Sequence, residues 1–286
     1  MNQDSRSIKP YRPAQISKKI DFRSMHETER KLAGLDLHTV CIQARCPNIS
    51  DCFSRNTATF LILGDTCTRS CGFCSVKRGK PKPADPDEHA RVVEAARRLG
   101  LRHVVVTSVT RDDLPDGGAG IFSRVIRALK EHDRRIIVEV LVPDFMGDEE
   151  AVQTVVGAEP DIFGHNIETV RSLYSVKKRS VYRRSLKIIS YAKRCSARLR
   201  TKSAILLGMG ETEAEVFGLF SDLREAECDY LSIGQYLRPG KGNLPVKEYV
   251  SSEQFERYKY KALDMGFRHV ESGVYVRSSY MADCYE

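Results

Sequence analysis

From residue 57 to residue 234 short apolar runs alternate with amphipathic stretches, and this alternation limits the available folds more than any other feature. Thr57-Ala-Thr-Phe-Leu-Ile-Leu-Gly64 reads as a buried strand that ends in a loop. Asp87 to Leu99 spaces its apolar residues as a helix does, and Gly100 follows where a C-cap belongs. His103 to Ser108 is a β-branched strand, Gly120 to His132 a helix, Arg135 to Leu141 a strand, Asp148 to Val156 a helix and Asp161 to Phe163 a short strand. A basic helix over about Arg184 to Cys195, a strand over Ser203 to Leu207, a helix over Glu211 to Ala226 and a last strand over Tyr230 to Gly234 complete the series. Strands alternating with helices pair in parallel through right-handed crossovers. Six such units, with no division into two unlike halves, predict an α/β protein built as a partial (β/α)6 barrel of the TIM type. A doubly wound sheet is the alternative. Its phosphate-binding fingerprint is missing, because Gly117-Gly118-Ala119-Gly120 lacks the spacing and opens no first strand–helix turn. In a parallel barrel the functional groups stand at the C-terminal ends of the strands.

Six of the nine cysteines fall between Cys41 and Cys74 in two unlike triplets, Cys41-x4-Cys46-x5-Cys52 and Cys67-x3-Cys71-x2-Cys74. Thiols this close either oxidise or bind a soft metal. The odd count and tight spacing argue against a disulfide framework, and residue 1 onward shows no signal-peptide core. Both point to a reducing, cytoplasmic location. The longest apolar runs, such as Phe60 to Leu63, are far shorter than the ~20 residues of a membrane span. A net charge of +8 comes with a basic concentration at Lys177, Lys178, Arg179, Arg183 and Arg184. No nucleic-acid module accompanies it, so an acidic protein partner or substrate is expected rather than nucleic acid or membrane. Cys195 and Cys228 read as core residues of helical segments.

Three cysteines leave one iron of a four-iron cube without a protein ligand, open to a substrate or cofactor. A structural zinc ion is the alternative for the second triplet, with His89 the next histidine, 15 residues on. Cys67-Thr-Arg-Ser-Cys71-Gly-Phe73-Cys74 resembles the CxxxCxΦC motif of radical S-adenosylmethionine (SAM) enzymes, Phe73 standing at the aromatic position. The resemblance implies that these thiolates hold a 4Fe–4S cluster whose fourth iron is chelated by SAM, which one electron splits into a 5′-deoxyadenosyl radical.

The first triplet, within Cys41-Ile-Gln-Ala-Arg-Cys46-Pro-Asn-Ile-Ser-Asp-Cys52, resembles the CxxxxCxxxxxC motif of the lipoyl synthase family. The likeness continues through Thr107-Ser-Val-Thr-Arg-Asp-Asp113, Asp116-Gly-Gly118, Asn166-Ile-Glu-Thr-Val170, Gly208-Met-Gly-Glu-Thr212 and Gly234-Gln-Tyr-Leu-Arg-Pro239 to Arg277-Ser-Ser279-Tyr280. It covers roughly residues 37 to 283. It implies a second, auxiliary 4Fe–4S cluster on Cys41, Cys46 and Cys52, with Ser279 as fourth ligand and sulfur donated from that cluster. The implied reaction is insertion of sulfur at C6 and C8 of an octanoyl chain on a carrier lysine. The implied partners are an octanoylated lipoyl carrier (glycine cleavage H protein or E2 lipoyl domain), an electron donor such as ferredoxin or flavodoxin, and an Fe–S cluster carrier. SAM contacts map onto Phe73, Thr107, Asn166, Glu168, Leu207 and Gln235, and Arg277 is expected to order the auxiliary cluster or the substrate. A biotin-synthase-like or methylthiotransferase-like sulfurtransferase is the nearest alternative, and a basic cluster-bearing or zinc-bearing RNA-binding module a more distant one. The expected organisation is an N-terminal cluster arm over 1–55, the barrel over 56–245 and a closing extension over 246–286. Met281 replaces the family's histidine after RSSY, the arm lacks the usual Lys-Pro-x-Trp-Leu start, and Cys284 stands five residues past Ser279.

Overall fold

Short, fully buried runs need a backbone partner on each side, and here they find one another in chain order. The computed structural model describes residues 22–43, 46, 48, 51–52 and 59–282. Its main sheet is formed by β1 (His38–Thr39), β2 (Thr59–Ile62), β5 (His103–Ser108), β6 (Ile137–Leu141), β7 (Ile162–Gly164), β8 (Arg200–Leu207), β9 (Tyr230–Gln235) and β10 (His269–Gly273), lying in that order. The short strands β3 (Thr66–Cys67) and β4 (Lys77–Arg78) form a separate parallel pair. Every neighbouring pair of the main sheet is parallel except β1 with β2. Sequential order and a shared direction from β2 to β10 make an open barrel, with the antiparallel β1 at one edge and β10 at the other.

The described α-helices are α1 (Phe22–Leu32), α2 (Val40–Gln43), α3 (Glu88–Leu99), α4 (Ala119–His132), α5 (Glu149–Val156), α6 (Tyr182–Cys195), α7 (Glu213–Glu225) and α8 (Ser252–Asp264), with two 3-10 turns at Phe145–Gly147 and Arg171–Val176. Strands such as β2, buried at all four residues, carry no polar alternation because both faces are covered. One apolar cluster joins Phe60, Val106 and Val140 to Val92, Phe122 and Val152 of α3 to α5. A second joins Ile205 and Ile233 to Val216 and Phe220 of α7 and Phe255 of α8. The predicted ends are placed by local chemistry. Gly100 takes the left-handed conformation at φ 63°, Asp148 accepts from Glu150 and Ala151, and Thr212 forms a capping box with Glu215.

Tyr230–Gln235 is not the last strand. His269–Gly273 extends the sheet beyond it, and its polar sequence His-Val-Glu-Ser-Gly carries too little apolar signal to read as one. Cys195 is exposed at the end of α6, whereas Cys228 is buried in the turn before β9. The N-terminal arm before residue 22 and Cys284 lie outside the described residues.

The strand β8 begins three residues before the expected Ser203 because its polar opening faces inward. Lys202 is fully buried, with Nζ 2.9 Å from Glu139 Oε1 on β6, and His103 Nε2 lies 3.2 Å from the same carboxylate. Burial pushes Glu139 up, but Lys202 and then His103 outweigh it and hold the carboxyl below its ordinary range. An ion pair this deep tolerates removal of both charges better than of one. Lys202→Met is expected to lower the unfolding free energy by about 3–5 kcal/mol, and adding Glu139→Leu to recover most of it, as read by urea denaturation.

Candidate functional site

At the C-terminal ends of the strands lies a cavity of about 470 Å³, and the chain reaches it from both ends. Cys41, Cys46 and Cys52 line one part of it, Phe73, Cys74 and Ser75 another, and Arg277 to Tyr280 a third. Thr107 of β5, Leu141 of β6, Asn166 and Glu168 after β7, and Leu206 of β8 come from the barrel itself. Val40, Phe73, Leu141, Leu206, Tyr236 and Leu237 give the space an apolar stretch between its polar groups.

The second triplet sits on the loop that follows β3, and three backbone contacts fix its path. Gly72 N–H donates to Val176 O at 2.8 Å, Leu244 N–H donates to Gly72 O at 3.0 Å, and Asn243 Nδ2 donates to Cys74 O at 2.8 Å. A side chain at residue 72 would meet Leu244 Cγ at 2.9 Å, so glycine permits this approach. Cys74 is exposed at the mouth, while Cys67 and Cys71 are partly covered behind it. Burial pushes the Cys71 thiol up, opposed by Lys177 and by the Lys178 backbone N–H.

Arg69, between the first two of these cysteines, is buried. Its Nη2 stands 2.7 Å from Asp112 Oδ1 and 2.6 Å from Asp144 Oδ1, and Nη1 donates to Ser180 Oγ at 2.9 Å. Burial alone would raise the Asp144 carboxyl, but Arg69, assisted by His165 and Arg184, holds it well below the carboxylate range. The cysteine loop is thereby tied to the ends of β5 and β6. Sequence reading passed over Arg69 as a spacer; a lone cation between paired thiols, with Asp112 in the recognised Thr107–Asp113 stretch, is the signal that marks it.

The first triplet is tied to the chain's end. Asn48 Nδ2 donates to Tyr275 O at 2.5 Å, and Tyr280 OH donates to Asp51 Oδ2 at 3.3 Å. Burial pushes the Cys41 thiol up to about 11, with neighbouring Cys46 adding to the rise. The terminal segment crosses the end of β9 because residue 234 is glycine: a Cβ there would stand 2.1 Å from Val276 O. Ser278 Oγ donates to Asn166 Oδ1 at 3.0 Å, whereas Ser279 lines the cavity with no hydrogen-bond partner among the described residues. Burial pulls the Arg277 guanidinium down, opposed by Cys46 and Glu168, and its Nη1 donates to Val276 O at 2.6 Å.

Glu168 lines the cavity from a left-handed backbone at φ 72°, an unusual conformation for a non-glycine residue. Burial raises its carboxyl, and Lys177, Asn166 and Arg277 oppose the rise. Lys177, which the sequence places in a surface charge run, instead donates through Nζ to Asn166 O at 2.6 Å. Thr107 lines the cavity and donates to Leu141 O at 2.7 Å.

Two expected contacts fall elsewhere. Gln235 is fully buried; its amide nitrogen donates to the carbonyls of Leu207, Tyr236 and Glu248, and its oxygen accepts from Val250. It holds residues 248–250 over the sheet end and leaves the cavity to others. Leu207 points into the core cluster, and its neighbour Leu206 lines the cavity, as alternation along a strand requires. Among the described residues no group of three or more His, Cys, Asp or Glu side chains converges on one point as a single metal ion would need. The donors fit a polynuclear cluster better, because there each thiolate binds a different iron. Three thiols on one loop, beside Thr107, Asn166 and Glu168, offer soft ligands next to polar groups for a charged small molecule.

The chain matches the Radical SAM superfamily over residues 61–234. It is 53% identical over 274 residues to the lipoyl synthase of Citrifermentans bemidjiense, covering 96% of this chain and 94% of that protein. It is 52% identical over 273 residues to the lipoyl synthase of Caldanaerobacter subterraneus subsp. tengcongensis, covering 95% and 96%. Among solved structures, Streptococcus suis SuiB bound to S-adenosylmethionine superposes with a TM-score of 0.59 at 13% identity, over 79% of this chain and 54% of that one, a likeness of fold. Substituting Arg69 tests the anchor: Arg69→Gln leaves Asp112 and Asp144 facing one another and is expected to cost about 3–5 kcal/mol of stability in denaturant unfolding. Arg69→Lys, which keeps the charge without the planar fork, is expected to restore part of it.

Proposed function

As the chain belongs to the lipoyl synthase family of radical SAM enzymes, we propose that the cavity at the strand ends holds an octanoyl chain between two 4Fe–4S clusters. The family's reaction is insertion of sulfur at C6 and C8 of a protein-bound octanoyl group, and membership brings one 4Fe–4S cluster and SAM. Cys67, Cys71 and Cys74 hold that cluster, and Phe73, Thr107, Asn166 and Glu168 border the SAM. Cys41, Cys46 and Cys52 hold the auxiliary cluster, with Ser279 as the fourth ligand. When bound, these groups supply the deoxyadenosyl radical that removes the hydrogens and the sulfide that replaces them.

The observation that carries this reading is that members of both triplets, Ser279 and an apolar stretch share one cavity. A fully extended alkyl chain must meet a hydrogen acceptor on one side and a sulfur source on the other, held close enough to react. Leu141, Leu206 and Tyr236 give such a chain an apolar bed, and enclosure by the terminal segment keeps water from competing. Arg277, reached by both Cys46 and Glu168, balances negative charge between the two clusters. Ser279 offers a hard oxygen to iron, a more labile ligand than thiolate. That lability suits a cluster that must give up sulfur.

On this reading residues 1–55 carry the auxiliary thiols, 56–245 the barrel and 246–286 the closing segment. The carrier is an H protein or E2 lipoyl domain, with a ferredoxin or flavodoxin as electron donor and an Fe–S carrier to rebuild the auxiliary cluster. The setting is the cytoplasm, which suits eight cysteines that are all free among the described residues. No described helix is long and apolar enough to cross a membrane.

Reconstituted protein with SAM, a reductant and an octanoylated carrier peptide is expected to give the mass gain of dithiolation. SAM cleavage without that gain would refute the reading. Ser279→Ala is expected to keep SAM cleavage while lowering sulfur insertion about 10-fold or more, followed by mass spectrometry of the peptide. An unchanged yield would remove Ser279 from the ligand set.

A further inference from the structure

The chain's positive charge is gathered in three places. Residues 75–84, 176–184 and 237–244 hold eleven lysines and arginines and no acid; without those eleven, 35 cations would face 38 carboxylates in the chain. The three segments are far apart in sequence, yet each is bonded to the same cysteine loop. Arg78 pairs with Cys67 in the β3–β4 ladder, and Gly79 N–H donates to Cys67 O at 3.0 Å. Val176 O accepts from Gly72, and the Lys178 backbone N–H meets the Cys71 thiol. Leu244 and Asn243 bond to Gly72 and Cys74. Lys77 is 69% exposed beside Asp65 at 4.0 Å and Arg179 59% exposed beside Asp112 at 3.5 Å, and Lys80, Lys178 and Lys241 are exposed as well. Cys74 and Arg238, on the cavity wall, place the mouth among these segments.

A space of about 470 Å³ admits a chain and small cofactors but no folded partner, so whatever bears the alkyl chain stays outside, on this rim. Single-stranded nucleic acid would want exposed aromatic platforms between the cations. The only aromatic residue of the three segments, Tyr182, is buried with its hydroxyl on Asp222. We propose that the three segments form one docking surface for an acidic folded protein domain, which feeds its alkyl-bearing lysine into the cavity mouth. This rests on the reading of the cavity given above, because the occupant is the protein to which that alkyl chain is attached.

The test compares full-length reconstituted protein with its Lys80→Glu/Lys178→Glu/Lys241→Glu variant, one reversal per segment. The probes are an acidic H protein, with and without octanoyl, and a short uncharged octanoyl-lysine peptide. The variant is expected to bind the unmodified H protein about tenfold or more weakly by fluorescence anisotropy and to show a KM raised to match, with kcat kept. Added salt is expected to weaken the wild-type protein in the same direction, while peptide turnover is equal in both proteins. Unchanged H-protein binding, or an equal loss on the peptide, overturns the docking surface. So does a variant that loses single-stranded RNA while keeping H protein, because the surface would then serve nucleic acid. Charge-dependent binding of H protein without dithiolation of either substrate leaves docking standing and refutes the cavity reading alone.

Discussion

Asp112 and Asp144 stand just past the ends of adjacent strands with side chains 6% and 0% exposed; Arg179 and Arg184 each meet one of them, and a single cation bridges both. Arg69 is that cation, and its position inside a three-cysteine loop makes one interaction serve two ends. It neutralises the rim of the barrel and fixes the loop against it. Ser180 and Arg184 extend the same network into the segment that Gly72 also touches. The place of Cys74 at the cavity mouth therefore follows from a guanidinium fork that meets both carboxylates at once.

The barrel acts as a frame whose polar groups divide between holding shape and facing the cavity. Glu139 and Lys202 hold the interior, and Gln235 ties the sheet end to residues 248–250. Thr107, Asn166 and Glu168 face inward to the ligand space. Gly234 marks where a second stretch of backbone passes too close for a side chain, and Gly72 where the Leu244 side chain does.

Much of this was legible from residues alone. The β-branched runs of β5 and β6 and the helix α4 between them lie within a few residues of where their patterns put them, because burial on both faces leaves a plain signal. The two unlike cysteine spacings raised the expectation of two centres, and the family match supports the one that belongs to radical SAM enzymes. Legibility failed where a residue's role depends on distant partners. Gln235 and Asn166 look alike as strand-end amides, yet one is bonded to four backbone groups and the other faces the cavity. Lys177 belonged to a charge run by sequence, and only folding turns it inward. The polar strand β10 is held by its pairing with β9 and by α8, neither of which its own five residues announce.

The bond from Asn48 to Tyr275 spans 227 residues. Closing so long a loop costs more entropy than a short one when the chain between is unfolded, and far less once the barrel has brought its ends together. The wall that Arg277 to Tyr280 add to the cavity is therefore cheap to place only on a barrel that is already formed. Cys41, Cys46 and Cys52 thus share their cavity with a segment whose place depends on the barrel, so that a change loosening the barrel would also loosen the wall beside them.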